Sequence, residues 1–550
     1  MRGGFRRSPM LAGVLAAACG CTPMREYVSN GFKVGPNYCK PVAPVAADWI
    51  DAGDARIREE APNLERWWTV FNDPALDALV TNAVNQNLTL REAGFRVMRA
   101  RAVRAETIGE IFPQTQDVAG GYSRNAMSNQ AANTGFLQDR FFDEWEGGFN
   151  LGWELDFWGR YRRAIEAADA DLDASIESYD AILVTLLADV AQAYVEVRTL
   201  QKQIELVKAN ETLQAETLKI VTAKFSGGMV SELDVDQAKS NLAQTQALVP
   251  KFEIPLRQAE LRLCILMGIP PTDLDRMIGQ GSIPTAATAV AVGIPANLLT
   301  QRPDVRRAER DVAAQSARVG VATSELYPHI GITGAIGVSS QNTSNLFTSE
   351  AMQGSFGPSF QWNVLNYGRL LNAIRIQDAR LAELIALYQN TVLQANAEVE
   401  SGLVEFLRSQ EQATFLNASV DASVRATKVA LTQYEFGMID FNRVSLIEQN
   451  LVSQQDLYAQ AEGDIALGLI EIYRALGGGW QIRLEESQGP VALPPVEEIG
   501  GGRAPEEPAR PEDLPLPAPA PTPVVPKPPA ANSRELPSLV QPAALEVSAQ

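Results

Sequence analysis

The run Trp153-Glu154-Leu155-Asp156-Phe157-Trp158-Gly159-Arg160 returns as Trp362-Asn363-Val364-Leu365-Asn366-Tyr367-Gly368-Arg369, a spacing of 209 residues. The same spacing carries Ala164 and Ile165 onto Ala373 and Ile374, Phe225 onto Tyr434, Gly228 and Met229 onto Gly437 and Met438, and Gly268 onto Gly477. A spacing held over more than about 100 residues means that one long unit was duplicated. The 550 residues therefore form two halves of one architecture plus terminal extensions, and each feature is to be read twice. The period is far too long for a solenoid.

Between Arg160 and Phe225 there is neither Gly nor Pro, and Leu172, Ile176, Tyr179, Leu183, Leu186, Val190, Tyr194, Val197, Leu200, Ile204 and Val207 recur at steps of three and four. This predicts a continuous coiled-coil-like helix, roughly 100 Å long at 1.5 Å per residue. The second copy, Arg369 to Tyr434, lacks proline and has one glycine, Gly402. Each long helix should end in a glycine turn, Ser226 to Val230 and Glu435 to Ile439, followed by a return helix reaching about Met267 or Leu476. Ser231 with Asp234 reads as a capping box for the first restart. Pro250 and Pro255 should bend the first return helix, whereas the second contains no proline. Further helices are expected over about Pro74 to Ile111 and Asn297 to Leu326.

Ahead of each long helix the period changes to two. Trp145, Phe149, Leu151, Trp153, Leu155 and Phe157 alternate with polar residues and glycine across 145–157. Ile330, Ile332, Ile336 and Val338 do the same in 330–339, and Phe356, Phe360, Trp362 and Val364 in 356–364. A weaker strand is expected at about Gln114 to Arg124, anchored by Val118 and Tyr122. Strands of this length with aromatic ends suit a membrane β-barrel, although the edge of a soluble sandwich would share the alternation. Four strands cannot close a barrel, and only a closed one satisfies backbone groups in lipid, so several chains must share it.

Composition excludes other classes. The net charge of −19 opposes nucleic-acid binding. One histidine, His329, and four cysteines without ligand spacing leave no catalytic residues, metal site or cofactor to nominate. His329 opens a strand beside a proline and reads as an interfacial polar residue. At the N-terminus Arg2, Arg6 and Arg7 precede an apolar run from Met10 to Ala18, too short to span a bilayer. A cysteine just after such a run resembles a bacterial lipoprotein signal, making Cys19 or Cys21 the lipid anchor; an ordinary cleaved signal is the alternative. From about Glu485 the chain turns rich in Pro, Ala and Glu, with 16 of its 33 prolines between Pro490 and Pro542, and reads as disordered. The expected organisation is a signal over 1–20, an extended linker over 21–62, the first repeat over 63–290, the second over 291–484 and the tail over 485–550.

Taken together, Trp67-Trp68 with Phe71, Asp73-Pro74 and Leu76, then Ile294-Pro295 with Leu298-Leu299 and Gln301-Arg302-Pro303-Asp304-Val305, then Tyr327-Pro328 entering a strand, resemble the TolC-like outer-membrane efflux factors. The match is to their lipoprotein branch, over about residues 60 to 480. The resemblance implies a mainly α fold with a membrane β part: a homotrimer with a 12-stranded outer-membrane β-barrel continued by a periplasmic α-helical barrel. It implies a passive exit duct for small molecules such as drugs or metals, partnered by outer-membrane lipid, a periplasmic adaptor and an inner-membrane transporter. A protein-secretion duct and a spacer lipoprotein are the rivals, and the latter leaves the one-faced strands unexplained.

In that family two helix turns per chain face the adaptor. The matching residues are Gly228, Met229, Val230 and Ser231 with Gly437, Met438, Ile439 and Asp440. The family's resting gate includes an aspartate six residues after the first-turn glycine and a tyrosine three before the second, which fall on Asp234 and Tyr434. A phenol donating to an ionised carboxylate is worth about 1.5–3 kcal/mol when partly buried, yet Asp234 equally suits the Ser231 cap. Where the family places an acidic ring, Arg443 and Leu446 stand instead, leaving Asp440 and Glu448 as the nearest carboxylates and implying weaker cation preference.

Overall fold

The computed structural model describes residues 24–60, 62–128, 130, 132, 139–285 and 287–486. Cys19, Cys21 and all but the first two residues of the expected tail lie outside the described residues.

The duplication is visible element by element. Helices α1 (Pro74–Gln86) and α2 (Leu88–Gly109) lead into strands β1 (Thr115–Ala126) and β2 (Phe141–Glu154), the long helix α3 (Arg160–Ser226) and the return helix α4 (Glu232–Leu266). The second copy runs through α5 (Pro303–Ser324), β3 (His329–Ser340), β4 (Met352–Gln361), α6 (Arg369–Glu435) and α7 (Phe441–Ala475), with a short α8 (Ile482–Glu486) behind it. Both long helices have 67 residues and both return helices 35. Each long helix begins after a glycine in the left-handed region, Gly159 at φ 82° and Gly368 at φ 80°, which explains the repeated Gly-Arg. Pro250 and Pro255 lie inside α4 without ending it.

The expected helix over Pro74 to Ile111 is two helices broken at Asn87. Its backbone is extended, and its side chain accepts from the Leu90 amide at 2.8 Å, capping α2. The second copy breaks at Arg302, between a short helical turn, Leu298–Gln301, and α5. These residues close equivalent gaps. Asn87 Nδ2 donates to the Leu266 carbonyl at 2.8 Å, and Arg302 Nη1 to the Ala475 carbonyl at 2.7 Å, the last residues of α4 and α7. Both supply donors to carbonyls that a helix C-terminus leaves open. The short helices are thus related by a spacing of 215, from 88 to 303, and the long ones by 209.

A large buried core sits where α1, the upper part of α3, the ends of α4 and α7, and α6 converge. Trp67 is buried there with its ring 5.4 Å from that of Tyr473, so the Trp67-Trp68 pair packs this core. Arg302 also pairs with Asp304 and Glu398, each at 2.7 Å. The linker expected to be extended carries a helix at Met24–Ser29 and then crosses both repeats. Arg163 donates to the carbonyls of Val34 and Gly35, and Tyr38 to Glu309.

Candidate functional site

The four strands form one antiparallel sheet in the order β1-β2-β3-β4, so among the described residues the outer edges of β1 and β4 have no strand beside them. Register sorts the residues by face. Val118 lies opposite Phe149, and Phe149 opposite Ile336; Trp153 lies opposite Ile332, and Ile330 opposite Phe360. Phe149, Leu151, Ile332, Ile336 and Phe360 therefore share one face, as the alternation predicted. Val118, Ile336, Phe356 and Phe360 are exposed in the single chain. On the other face Asn150 donates to Asp117 at 3.0 Å and Asn125 to Glu144 at 3.2 Å. The apolar face starts at Tyr122 and Trp145, whose ring centroids lie 4.5 Å apart with planes tilted by 40°, and runs along β2 to Trp153. The eight steps from Trp145 to Trp153 cover ~27 Å at 3.4 Å per residue, comparable with the ~25 Å apolar band of membrane barrels. Beyond Tyr122 the same face carries the ion pair of Arg124 and Asp143 at 3.0 Å, where water must begin.

Of the residues that carry the alternation, Trp362 is placed differently, and Trp153 ends its run. β4 stops at Gln361, so Trp362 lies past the strand, and its indole donates to the Leu326 carbonyl at 3.0 Å. Trp153 Nε1 likewise donates to the Ile111 carbonyl at 2.9 Å. Each indole is fixed to the carbonyl two residues beyond a short helix, so both mark the junction of sheet and helices. His329 is held at the same junction, its Nδ1 2.7 Å from Glu154 and its Nε2 3.5 Å from Glu325, with Arg160 bridging both carboxylates at 3.2 Å.

At the opposite end, the glycine turns come from two sequence-equivalent stops. Gly228 at φ 71° and Gly437 at φ 72° let the backbone fold back, and the amides of Met229 and Met438 bond to the carbonyls of Lys224 and Gln433 at 2.9 Å. Ser231 starts α4 and Asp440 starts α7, where its Oδ1 accepts from the Arg443 amide at 2.9 Å. Val230 and Ile439 pack against a small core of Val221, Val235, Ala238, Ala430, Tyr434, Phe441 and Val444. Met229, Leu233, Phe436, Met438 and Leu446 are exposed around it, as is Arg443.

The expected hydrogen bond from Tyr434 to Asp234 is not made within the chain. Asp234 Oδ2 accepts from the Ser231 amide at 3.2 Å, completing the capping box, and the buried Tyr434 hydroxyl has no partner. Burial pushes the Tyr434 phenol up, and the nearby Asp234 charge adds to this. Lys224 Nζ lies 5.0 Å from the centre of its ring. The two carboxylates nominated for a residual acidic ring are also otherwise engaged. Asp440 is a helix cap, and Glu448 is buried against α3, accepting from the Thr217 hydroxyl at 2.7 Å. Burial raises the Glu448 carboxyl, with the Thr217 bond opposing.

Sequence reading passed over the ion pair of Asp180 and Arg483, 2.6 Å and 2.8 Å in a two-pronged contact with the Asp180 side chain fully buried. Nothing in the spacing of two isolated charges 303 residues apart signals it. Among the described residues no helix is long and apolar enough to cross a membrane, and no group of His, Cys, Asp and Glu could hold a metal ion.

The outer membrane efflux protein family profile matches residues 79–269 and 294–478, one stretch for each repeat. Toluene efflux pump outer membrane protein TtgI of Pseudomonas putida is 30% identical over 461 residues, 82% of this chain and 96% of the relative. Nodulation protein T of Rhizobium leguminosarum bv. trifolii is 28% identical over 465 residues, 84% of this chain and 97% of the relative. The solved structure of the outer-membrane channel OprN superposes with a TM-score of 0.76 at 31% identity, covering 82% of this chain and 99% of that one. The duplicated helices, the one-faced sheet and these matches lead to one assignment: the chain belongs to the outer membrane efflux protein family and is an outer-membrane efflux channel component, not an enzyme.

Proposed function

We propose that three copies of this chain close a 12-stranded barrel in the outer membrane and an α-helical barrel below it, forming a passive duct. Small molecules would be handed to it by an inner-membrane transporter through a periplasmic adaptor. The observation that carries this reading is the four-stranded sheet, apolar on one exposed face and open at both edges, which lipid tolerates only after closure by further copies. The named relatives include a toluene efflux pump component, which favours small apolar cargo over secreted protein. A lipid on Cys19 or Cys21 would supplement barrel insertion, since one acyl chain alone binds a bilayer marginally.

Gly228, Met229, Val230 and Ser231, with Gly437, Met438, Ile439 and Asp440, form the adaptor-facing surface in this reading. Its support is the exposure of Met229 and Met438 at both turns, because Met suits adaptable apolar docking. Cells lacking this chain should accumulate a lipophilic dye that its pump exports. The wild-type copy should restore export, while Met229→Asp with Met438→Asp should fail to do so despite normal levels of folded channel. Full export by that variant would remove the tips from the adaptor interface.

Asp234, Tyr434 and Arg443 remain the proposed gate, now with the Tyr434 hydroxyl as an unmatched donor inside the tip core. A small rotation that frees Asp234 from the Ser231 amide would exchange a backbone bond for the phenol bond. Tyr434→Phe with Asp234→Ala is expected to raise resting conductance several-fold without lowering trimer yield. Unchanged conductance with earlier melting would make Asp234 a cap alone.

A further inference from the structure

Between the apolar cluster around Val207 and the tip core around Val221, the helices meet through polar side chains. The buried residues of α3 between those two valines are Asn210, Gln214 and Thr217, and those of α4 between Ala238 and Phe252 include Asn241 and Thr245. α7 crosses this belt with Ser445 and Glu448 buried. Asn210 donates to Gln455 at 2.6 Å, Gln449 to Asn241 at 2.8 Å, and Asn241 to Ser445. The seam between the first repeat and α7 of the second is therefore a ladder of neutral amides and hydroxyls, in which Glu448 is the one buried ionisable side chain.

The surroundings of Thr217 favour the proton on that carboxyl. Thr217 Oγ1 stands 3.1 Å from the Leu213 carbonyl and 2.7 Å from Glu448 Oε1, two acceptors if the carboxylate is ionised. A hydroxyl carries one hydrogen, so it cannot serve both fully. With Glu448 neutral, the carboxyl donates to Oγ1 and Oγ1 donates to Leu213, and both bonds are made. One turn away on the buried face of α3, Gln214 Oε1 has no donor, so acceptors are already in excess.

No cation compensates an ionised Glu448. Glu216 and Lys219 of α3, Lys239 of α4, Arg425 and Lys428 of α6 and Arg443 of α7 are the charged residues near this level, and all are exposed. The buried side chains there, Thr217, Asn241, Thr245 and Thr427, are neutral. Burial raises the Glu448 carboxyl, and only the Thr217 bond opposes it.

We propose that Glu448 is a proton-operated latch between the two repeats, neutral while α7 is seated on α3 and releasing α7 when it ionises. The charge then lies one turn from Val444 of the tip core and two turns from Asp440, which starts α7. A buried carboxylate without a cation is costly, whereas amides that part can exchange their bonds for water. Ionisation thus loosens the seam beside the tip, not at the apolar waist. A carboxyl whose folded-state pKa is raised contributes stability at low pH and loses it as pH rises through the folded value. The resting duct is accordingly tightest in acid and leaks more as pH rises above the ordinary carboxylate range.

The inference rests on the duct reading above, and two readouts separate the two. In planar bilayers, resting conductance of the full-length wild type should rise several-fold from mildly acidic to mildly alkaline pH. Glu448→Gln keeps a neutral side chain at every pH and should stay at the acid value throughout. Thr217→Val removes the one donor to the ionised form and should move the rise to higher pH. Identical pH profiles for wild type and Glu448→Gln would overturn the latch and leave the duct standing. Hydrogen exchange in detergent needs no current: amides of 441–455 should exchange faster in wild type than in Glu448→Gln at alkaline pH, and equally in acid. Equal exchange at both would overturn the latch whether or not the protein conducts. The expected exchange difference in protein that never conducts would support the latch and overturn the duct alone.

Discussion

Phe149→Arg and Ile336→Arg are expected to abolish recovery of folded channel from the outer membrane. The two residues lie opposite each other on adjacent strands, on the apolar face and midway between the Trp145 and Trp153 levels. An arginine on the lipid side costs about 2–4 kcal/mol at mid-bilayer and little near the interfaces. In a closed trimer each change occurs three times, giving about 6–12 kcal/mol per assembly, comparable with the whole stability of an ordinary domain. Leu151→Arg, one pair nearer the helices, should be nearly as damaging, and Phe360→Arg less so because Phe360 faces Ile330 close to the junction. Asn150→Lys should be tolerated, since that side chain is on the polar face beside Asp117. Outer-membrane fractionation followed by a heat-shift gel reads the result. Equal loss from Asn150→Lys and Phe149→Arg would mean that neither face meets lipid.

The second large effect is expected at Arg483→Ala. Its guanidinium holds both oxygens of Asp180, whose side chain is completely buried in the first third of α3. Removing one member of such a pair leaves an uncompensated buried charge and costs about 3–5 kcal/mol. Burial already pushes the Asp180 carboxyl up and Arg483 opposes it, so losing the arginine raises it further. A carboxyl whose folded-state pKa is raised favours folding at low pH and loses that contribution as pH rises through the folded value. The deficit of Arg483→Ala should therefore be greatest at neutral pH and shrink on acidification. Asp180→Asn with Arg483→Gln should recover most of the loss, because exchanging a whole buried ion pair for neutral groups is often close to neutral. Thermal unfolding in detergent from mildly acidic to neutral pH measures both; a deficit that is independent of pH would assign the effect to packing of the α8 stem.

Much of this architecture is legible because duplication and periodicity are local signals. The absence of Pro, with no Gly in the first copy and only Gly402 in the second, marked both long helices, and α3 and α6 start and end on equivalent residues. Alternation sorted Phe149, Leu151, Ile336 and Phe360 onto one face, since a strand's side chains have a period of two wherever it sits. Trp362 continued the alternation yet lies beyond β4, because its indole bond to Leu326 belongs to the junction. Period alone does not report such a bond. Asn87 and Arg302 do equivalent work with unlike side chains, and their 215-residue spacing differs from the 209 that reveals the repeat. Asp234 could be counted to its position but not assigned a partner; the choice between Tyr434 and the Ser231 amide depends on the tip's three-dimensional packing. Asp180 and Arg483 are joined only by the tertiary fold, and no local pattern contains them.

The measurement that bears most directly on the channel assignment is current across a planar lipid bilayer to which the purified full-length protein is added. Stepwise, uniform conductance increments are expected, absent when Phe149→Arg protein is added instead. Protein that is folded and trimeric by native mass yet gives no steps, even with Tyr434→Phe and Asp234→Ala introduced together, would contradict a duct and favour a periplasmic spacer.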